Sequence, residues 1–271
     1  MSTAASVRTR AARTAHSGWL KALSRIGFLG YGLFHLAIAW LAIQIAVNHA
    51  PSHADQVGAF ELLEKQPAGR ILLLVIAVGL GAMTLWQLLA VVLGYGGTRR
   101  RATERLTSVA RVFVYGFLLY ADIKVITGTA KSSSATQEQA TAGVLAHPAG
   151  QWLVAITGAV VFAVGVGMMA YGIKKSFRSK LDLSSARAST RKAVLTLGQI
   201  GYTAKGVAIG VVGALLFDAA ISDRPARSTG LDGALRTLAG EPYGALLLIV
   251  VALGFVAHGV YCFAQSKYRK I

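Results

Sequence analysis

The chain has one cysteine, five prolines and only 11 acidic residues among 271. A lone thiol, Cys262, excludes an intramolecular disulfide and any cysteine-built zinc site. Charged residues make up 14% of the sequence, against roughly a quarter in soluble domains, so a water-facing globule is excluded as well. Also absent are a phosphate loop, a nucleophile elbow, a zinc-protease helix signature and a dinucleotide fingerprint.

What remains is apolar and basic. Hydrophobic residues make up 54% of the chain, 28 Lys+Arg against the few acids give a net charge of +17, and the mean hydropathy is +0.55. Six apolar runs lie near 26–47, 69–93, 108–127, 150–173, 197–220 and 244–264. Each matches the roughly 20 residues that a helix needs to cross a bilayer. No proline falls inside any of them, and none alternates with the period of two expected of a membrane barrel strand. The fold class is therefore all-α integral membrane, with six transmembrane helices.

Twenty-one of the 28 basic residues fall at the N-terminus, in the second and fourth connections with the helix starts that follow, and at the C-terminus. The excess of Lys and Arg marks cytoplasmic loops, which puts both termini inside and the protein in the inner (plasma) membrane. The run Arg99-Arg100-Arg101 lies in a short connection between spans. It reads as a topology signal facing anionic headgroups rather than a nucleic-acid site. Residues 1–18, basic and without acids, read as a disordered tail; the first span is too long to be a secretory signal.

Internal repetition is the most specific pattern. A shift of 175 residues aligns Gly58–Ala82 with Gly233–Ala257 without a gap. Each even span is preceded by the same device: Pro67-Ala68-Gly69, Pro148-Ala149-Gly150 and Pro242-Tyr243-Gly244. Proline suits the first turn of a helix, where its missing N–H costs nothing, so each device marks the entry of a return helix. Among the odd spans, Gly32, Gly116 and Gly206 correspond. The chain thus divides into three tandem parallel two-helix hairpins, 19–97, 98–180 and 181–271, expected to close into a pseudo-threefold bundle. Abundant glycine on the first and fifth spans suggests that the odd helices pack closely, around the axis.

The segments Ile200-Gly201-Tyr202-Thr203-Ala204-Lys205-Gly206 and Ala234-Leu235-Arg236-Thr237-Leu238-Ala239-Gly240-Glu241-Pro242-Tyr243-Gly244 carry a resemblance. The chain resembles the bacterial family known as domain of unknown function 1206, a pair of membrane helices occurring three times. The resemblance implies an architecture and no activity. The middle copy departs from it, with Arg111 where the others have Gly27 and Gly201.

Candidate polar residues in the membrane are Asp122, Lys124, His35, His258 and Asp218. A charge inside a bilayer costs about 2.5–3.5 kcal/mol on insertion scales, so such groups face the bundle or water. Asp122 reads either as an ion- or proton-coupled site or as an acid paired across helices. Lys124, two residues on, lies on nearly the opposite face, and Asp218 reads as solvated near its helix end. His35 and His258 permit a haem reading with one axial ligand from each helix, although their expected depths differ; interhelical hydrogen bonding is the alternative. His16, His49, His53 and His147 lie in tails or loops, and no metal or cofactor is expected. Tyr31, Tyr115 and Lys205 occupy equivalent positions at the cytoplasmic side, where they form a candidate ring or an aromatic belt with a snorkelling lysine.

Three functions fit. The first is a non-catalytic scaffold, or membrane-complex partner, contacting lipid and an unknown membrane protein. The second is a small-solute or ion- or proton-coupled transporter or channel, and the third a haem-binding redox protein. The criterion between the first two is physical: a water-filled cavity at Asp122 or His35 favours transport, and an axis filled by glycine-packed helices favours the scaffold.

Overall fold

A computed structural model describes residues 18–47, 55–93, 100–131, 133–228 and 230–270. The tail up to residue 17 and its His16, as well as His49, His53 and Arg99, lie outside the described residues. Among the described residues nine α-helices run α1 Gly18–Ala46, α2 Gln56–Glu64, α3 Gly69–Leu93, α4 Arg100–Ile126, α5 Ser133–Leu145, α6 Gly150–Ile173, α7 Ala188–Ile221, α8 Gly230–Gly240 and α9 Gly244–Tyr268. Among the described residues there is no strand beyond an isolated bridge between Leu181 and Arg269.

Each repeat is therefore long–short–long rather than a plain two-helix hairpin. The short helices α2, α5 and α8 were missed from sequence because they are too short and too polar to register as apolar runs. Asp55 caps the first of them: its Oδ1 accepts from Gly58 N at 2.9 Å, while Oδ2 accepts from Ser134 N and Oγ at 3.0 and 3.1 Å. One buried carboxylate thereby fixes the starts of α2 and α5 together, filling donors that a helix N-terminus leaves open.

The Pro-x-Gly device has a different geometry from the one expected. Proline sits not in the helix but at the second position of a tight turn between the short helix and the long one. The turn closes by Gly69 N to Gln66 O, Gly150 N to His147 O and Gly244 N to Glu241 O, each 2.8 Å. Ala149 (φ −99°, ψ 2°) takes the third position of a type I turn and Tyr243 (φ 65°, ψ 25°) that of type II, both of which welcome proline before them. Glycine follows because a Cβ there would strike the end of the short helix. It would fall 1.8 Å from Leu63 O at Gly69, 1.7 Å from Val144 O at Gly150 and 2.2 Å from Ala239 O at Gly244.

Among the described residues five helices, α1, α3, α6, α7 and α9, are long and apolar enough to cross a membrane. The helix α4 is equally long at 27 residues but carries Arg111, Asp122 and Lys124 along with its basic start. In space the long helices follow one another α1, α3, α4, then α6, α7, α9, and α9 returns against α1. The chain ends thus meet, but α4 and α6 share no extended contact. The expected ring is open at its middle repeat.

Equivalent positions explain the opening. Within the first repeat α1 crosses α3 at Gly30 and Gly79, where a Cβ on Gly79 would lie 2.5 Å from the Gly30 Cα; within the third, α7 crosses α9 at Ala204 and Gly254. The middle repeat has Val114 and Val160 at these places, and both are exposed. Small residues let backbones approach; two valines and Arg111 in place of glycine hold them apart. The contacts between repeats use the same currency. Gly206 meets Gly165 O, Gly32 meets Gly259 O, and in the α3–α4 junction Thr84 replaces glycine while Gly116 has nothing within 4 Å. Glycines thus join the first long helix of a repeat to the second long helix of its own or a neighbouring repeat, α1 to α3 and α9 and α7 to α6 and α9, and do not join the first helices to one another around an axis.

Candidate functional site

The three residues of the expected ring come together, but inside the bundle rather than as a belt. The Lys205 Nζ on α7 donates to the Tyr31 hydroxyl on α1. The Tyr31 ring lies 5.0 Å, edge to face, from Tyr115 on α4, and both tyrosines are buried. Aromatic pairs at this spacing are mutually attractive. Lys205 also stands 4.8 Å over the Tyr31 ring, a cation–π contact.

His35 is one turn below Tyr31. Its Nδ1 is 2.8 Å from the Tyr31 carbonyl oxygen; because a carbonyl only accepts, this assigns the proton to Nδ1 and leaves a lone pair on Nε2. That nitrogen lies 3.3 Å from Lys205 Nζ. Two donors of one lysine side chain are therefore taken by the first repeat, and the cluster ties the third repeat to it.

His258 on α9 faces the same centre. Its ring is 4.5 Å from that of His35, correcting the expectation of different depths. Gly201 permits this approach, since a Cβ there would fall 2.6 Å from the His258 Cα. The two imidazoles touch, which leaves no space between them for a haem macrocycle. Beyond His258 the aromatic series continues through Tyr202, 5.0 Å away, to Phe177 and Tyr261.

Cys262 completes a compact donor set: the ligand atoms of His35, His258 and Cys262 all lie within 4.8 Å of one another, and all three residues are buried. A His2Cys set suits a borderline or soft metal. Lys205 Nζ, however, occupies the approach to the free nitrogen of His35, so a metal would have to displace a cation-forming group. Arg111 on α4 acts electrostatically on Tyr31, Tyr115 and Lys205, adding further positive charge.

The remaining candidates lie apart. Asp122 is completely buried and both of its oxygens lack a hydrogen-bond partner among the described residues, so the expected partner across helices is not present. Lys124 lies 5.5 Å over the Tyr120 ring, one turn back on α4. Asp218, near the end of α7, accepts the Ser222 amide through its backbone carbonyl at 2.9 Å. His147 closes the turn before α6. Sequence reasoning missed Tyr202, Tyr261 and Cys262 as neighbours of the histidines. Glycines at Gly198 and Gly201 were the available signal, since each makes room for a ring or backbone from α9.

The repeat geometry agrees with a comparison to protein families. The model of the Domain of Unknown Function (DUF1206) matches residues 26–94, 106–175 and 200–269. The chain belongs to the DUF1206 family. Each match takes in one long–short–long unit, α1 to α3, α4 to α6 and α7 to α9. A relative, the uncharacterized protein YxxB of Bacillus subtilis (strain 168), is 29% identical over 255 residues, covering 93% of this chain and 92% of its own length. No solved structure matches.

Proposed function

We propose that this DUF1206 protein is a non-catalytic scaffold of the bacterial inner membrane, with six spans and both termini in the cytoplasm. The observation that carries the reading is the filled centre. His35 is 2% exposed and Asp122 0%, and glycine crossings bring the helices into backbone contact on four sides. A carrier needs a cavity at its polar residues; here His35 is packed against Tyr31, His258 and Lys205, and Asp122 is fully buried apart from them. The charge asymmetry of the connections supports the orientation, and the length of α4 supports a sixth span despite its polar residues.

The open middle hairpin is where a partner fits this reading. Exposed Val114 and Val160 flank the opening and leave an apolar helix face against which another membrane helix can pack. Since the chain's only cysteine is buried, single cysteines introduced at Val114 or Val160 can be cross-linked selectively in native membranes. A discrete adduct with a second membrane protein, recovered also by co-purification in mild detergent, is the expected result. Labelling by lipid-soluble probes alone, with no protein adduct, would remove the scaffold reading.

A second reading, a small anion carrier, rests on Lys205. Among the described residues it contacts Tyr31 and His35 and forms no ion pair with a carboxylate, and an intramembrane lysine without one invites an anion. Liposome flux of chloride, acetate and phosphate separates the readings: transport by wild type and loss in Lys205→Met favours the carrier.

A further inference from the structure

The connection from α6 to α7 is built unlike a loop. Phe177, Leu181 and Leu183 are buried with Val194 and Tyr261, and the segment is fixed to the C-terminus. Asp182 N donates to Tyr268 O at 2.7 Å and Lys270 N to Lys180 O at 3.1 Å. A short 3-10 turn, Ser176–Lys180, follows Lys175 in left-handed conformation (φ 52°).

On this fixed base lies an open cavity of about 440 Å³ lined by Lys175, Arg178, Arg191 and Lys270, together with Ser176 and Ser179. Four cations from three separate stretches of chain converge there. Protein relieves little of the cost of holding like charges together: among the described residues none of the four forms a close ion pair with a carboxylate. Between Ile173 and Phe217 the sequence has a single acid, Asp182. That carboxylate is already engaged, accepting from Ser184 Oγ at 2.7 Å and Ser184 N at 3.2 Å. Lys270 Nζ donates to the Ser179 carbonyl at 3.3 Å and adds only the smallest of the influences on Asp182.

We propose that this cavity binds a phosphate-bearing anion, supplied either by the headgroup of an anionic phospholipid or by a soluble phosphate compound. Two arginines offer the planar paired donors that match phosphate oxygens, two lysines add charge, and the Ser176 hydroxyl adds a donor, that of Ser179 being already given to the Ser176 carbonyl at 2.9 Å. The site begins directly after Ile173, the last residue of a span-length helix, which sets it at headgroup depth. It is separate from the Lys205 cluster and from the open hairpin, so it stands whether or not the scaffold reading does.

The test uses the full chain. In one arm, native mass spectrometry counts phosphatidylglycerol retained from mixed micelles with phosphatidylcholine. In the other, inorganic pyrophosphate is titrated against thermal stability in neutral detergent. The expected result is binding in at least one arm, weakened about tenfold or more in R178Q/R191Q because two charge-assisted contacts are lost. The charge-matched K174Q/K192Q variant changes it less than about twofold, since exposed charges outside the cavity contribute little. Phosphatidylglycerol alone binding identifies a headgroup site, and pyrophosphate binding identifies a soluble phosphate as sufficient. Absence of binding in both arms, or equal weakening by the two double variants, overturns the proposal.

Discussion

Lys205 and Tyr31 occupy the same position in two repeats, and their side chains are hydrogen-bonded to each other. Duplicated positions have thus diverged into donor and acceptor, with the third equivalent, Tyr115, set edge to face against the acceptor's ring. A repeat protein with identical units could not make this contact.

The contact holds the first and third repeats together. Tyr31→Phe and Lys205→Met are each expected to lower the melting temperature in detergent. A double-mutant cycle should give a coupling of about 0.5–2 kcal/mol, the range of interhelical hydrogen bonds in membranes. Additive effects would show that the two groups do not interact.

Hairpin closure depends on small residues. Gly79→Val places side-chain atoms against the Gly30 Cα and should destabilise by about 1–3 kcal/mol, as overpacking does. Val160→Ala, at the equivalent place in the open hairpin, should stay within about 0.5 kcal/mol. Thermal unfolding of both variants, side by side, checks the asymmetry.

The turn glycines are a separate case. Gly150→Ala would put a methyl group 1.7 Å from Val144 O, forcing the end of α5 away from α6. Gly143→Ala, with nothing within 4 Å and inside α5, should be neutral or stabilising by up to about 1 kcal/mol through helix propensity. Limited proteolysis between α5 and α6 should accelerate in the first variant and not in the second.

Asp122 discriminates among functions. Its buried carboxyl group has no hydrogen-bond partner among the described residues, so Asp122→Leu should leave stability unchanged or raise it, because a costly buried polar group is removed. A clear loss of stability would reveal a compensating partner, and equal flux in Asp122→Asn and wild-type liposomes would exclude Asp122 from transport.

Asp182 lies outside the spans, and its titration can be read directly. The Ser184 hydroxyl first, then the Ser184 amide, with a smaller contribution from Lys270, hold its carboxyl below the usual carboxylate range. A depressed folded-state value means the interaction stabilises above the unfolded carboxyl's pKa and is lost as pH falls through the lowered folded value. Ser184→Ala should move the carboxyl back up toward the ordinary range, seen by NMR titration of labelled aspartate; an unchanged titration would assign the effect elsewhere.

The sequence by itself determined the apolar helices, the threefold duplication and the family, because hydropathy and the spacing of Pro and Gly are local properties repeated along the chain. It also marked Arg111 as the place where the middle copy departs. Tertiary structure alone decided what that departure does: whether two helices touch depends on pairs such as Gly30 with Gly79 or Val114 with Val160, and no single position states its partner. The same holds for the centre, where His35 and His258 are far apart in the chain but in contact because Gly201 admits the backbone of α9. Likewise Lys175 and Arg178 of the α6–α7 connection, Arg191 of α7 and Lys270 read as ordinary topology signals until the C-terminus is folded back beside the connection, and only that pairing turns scattered charge into a cavity.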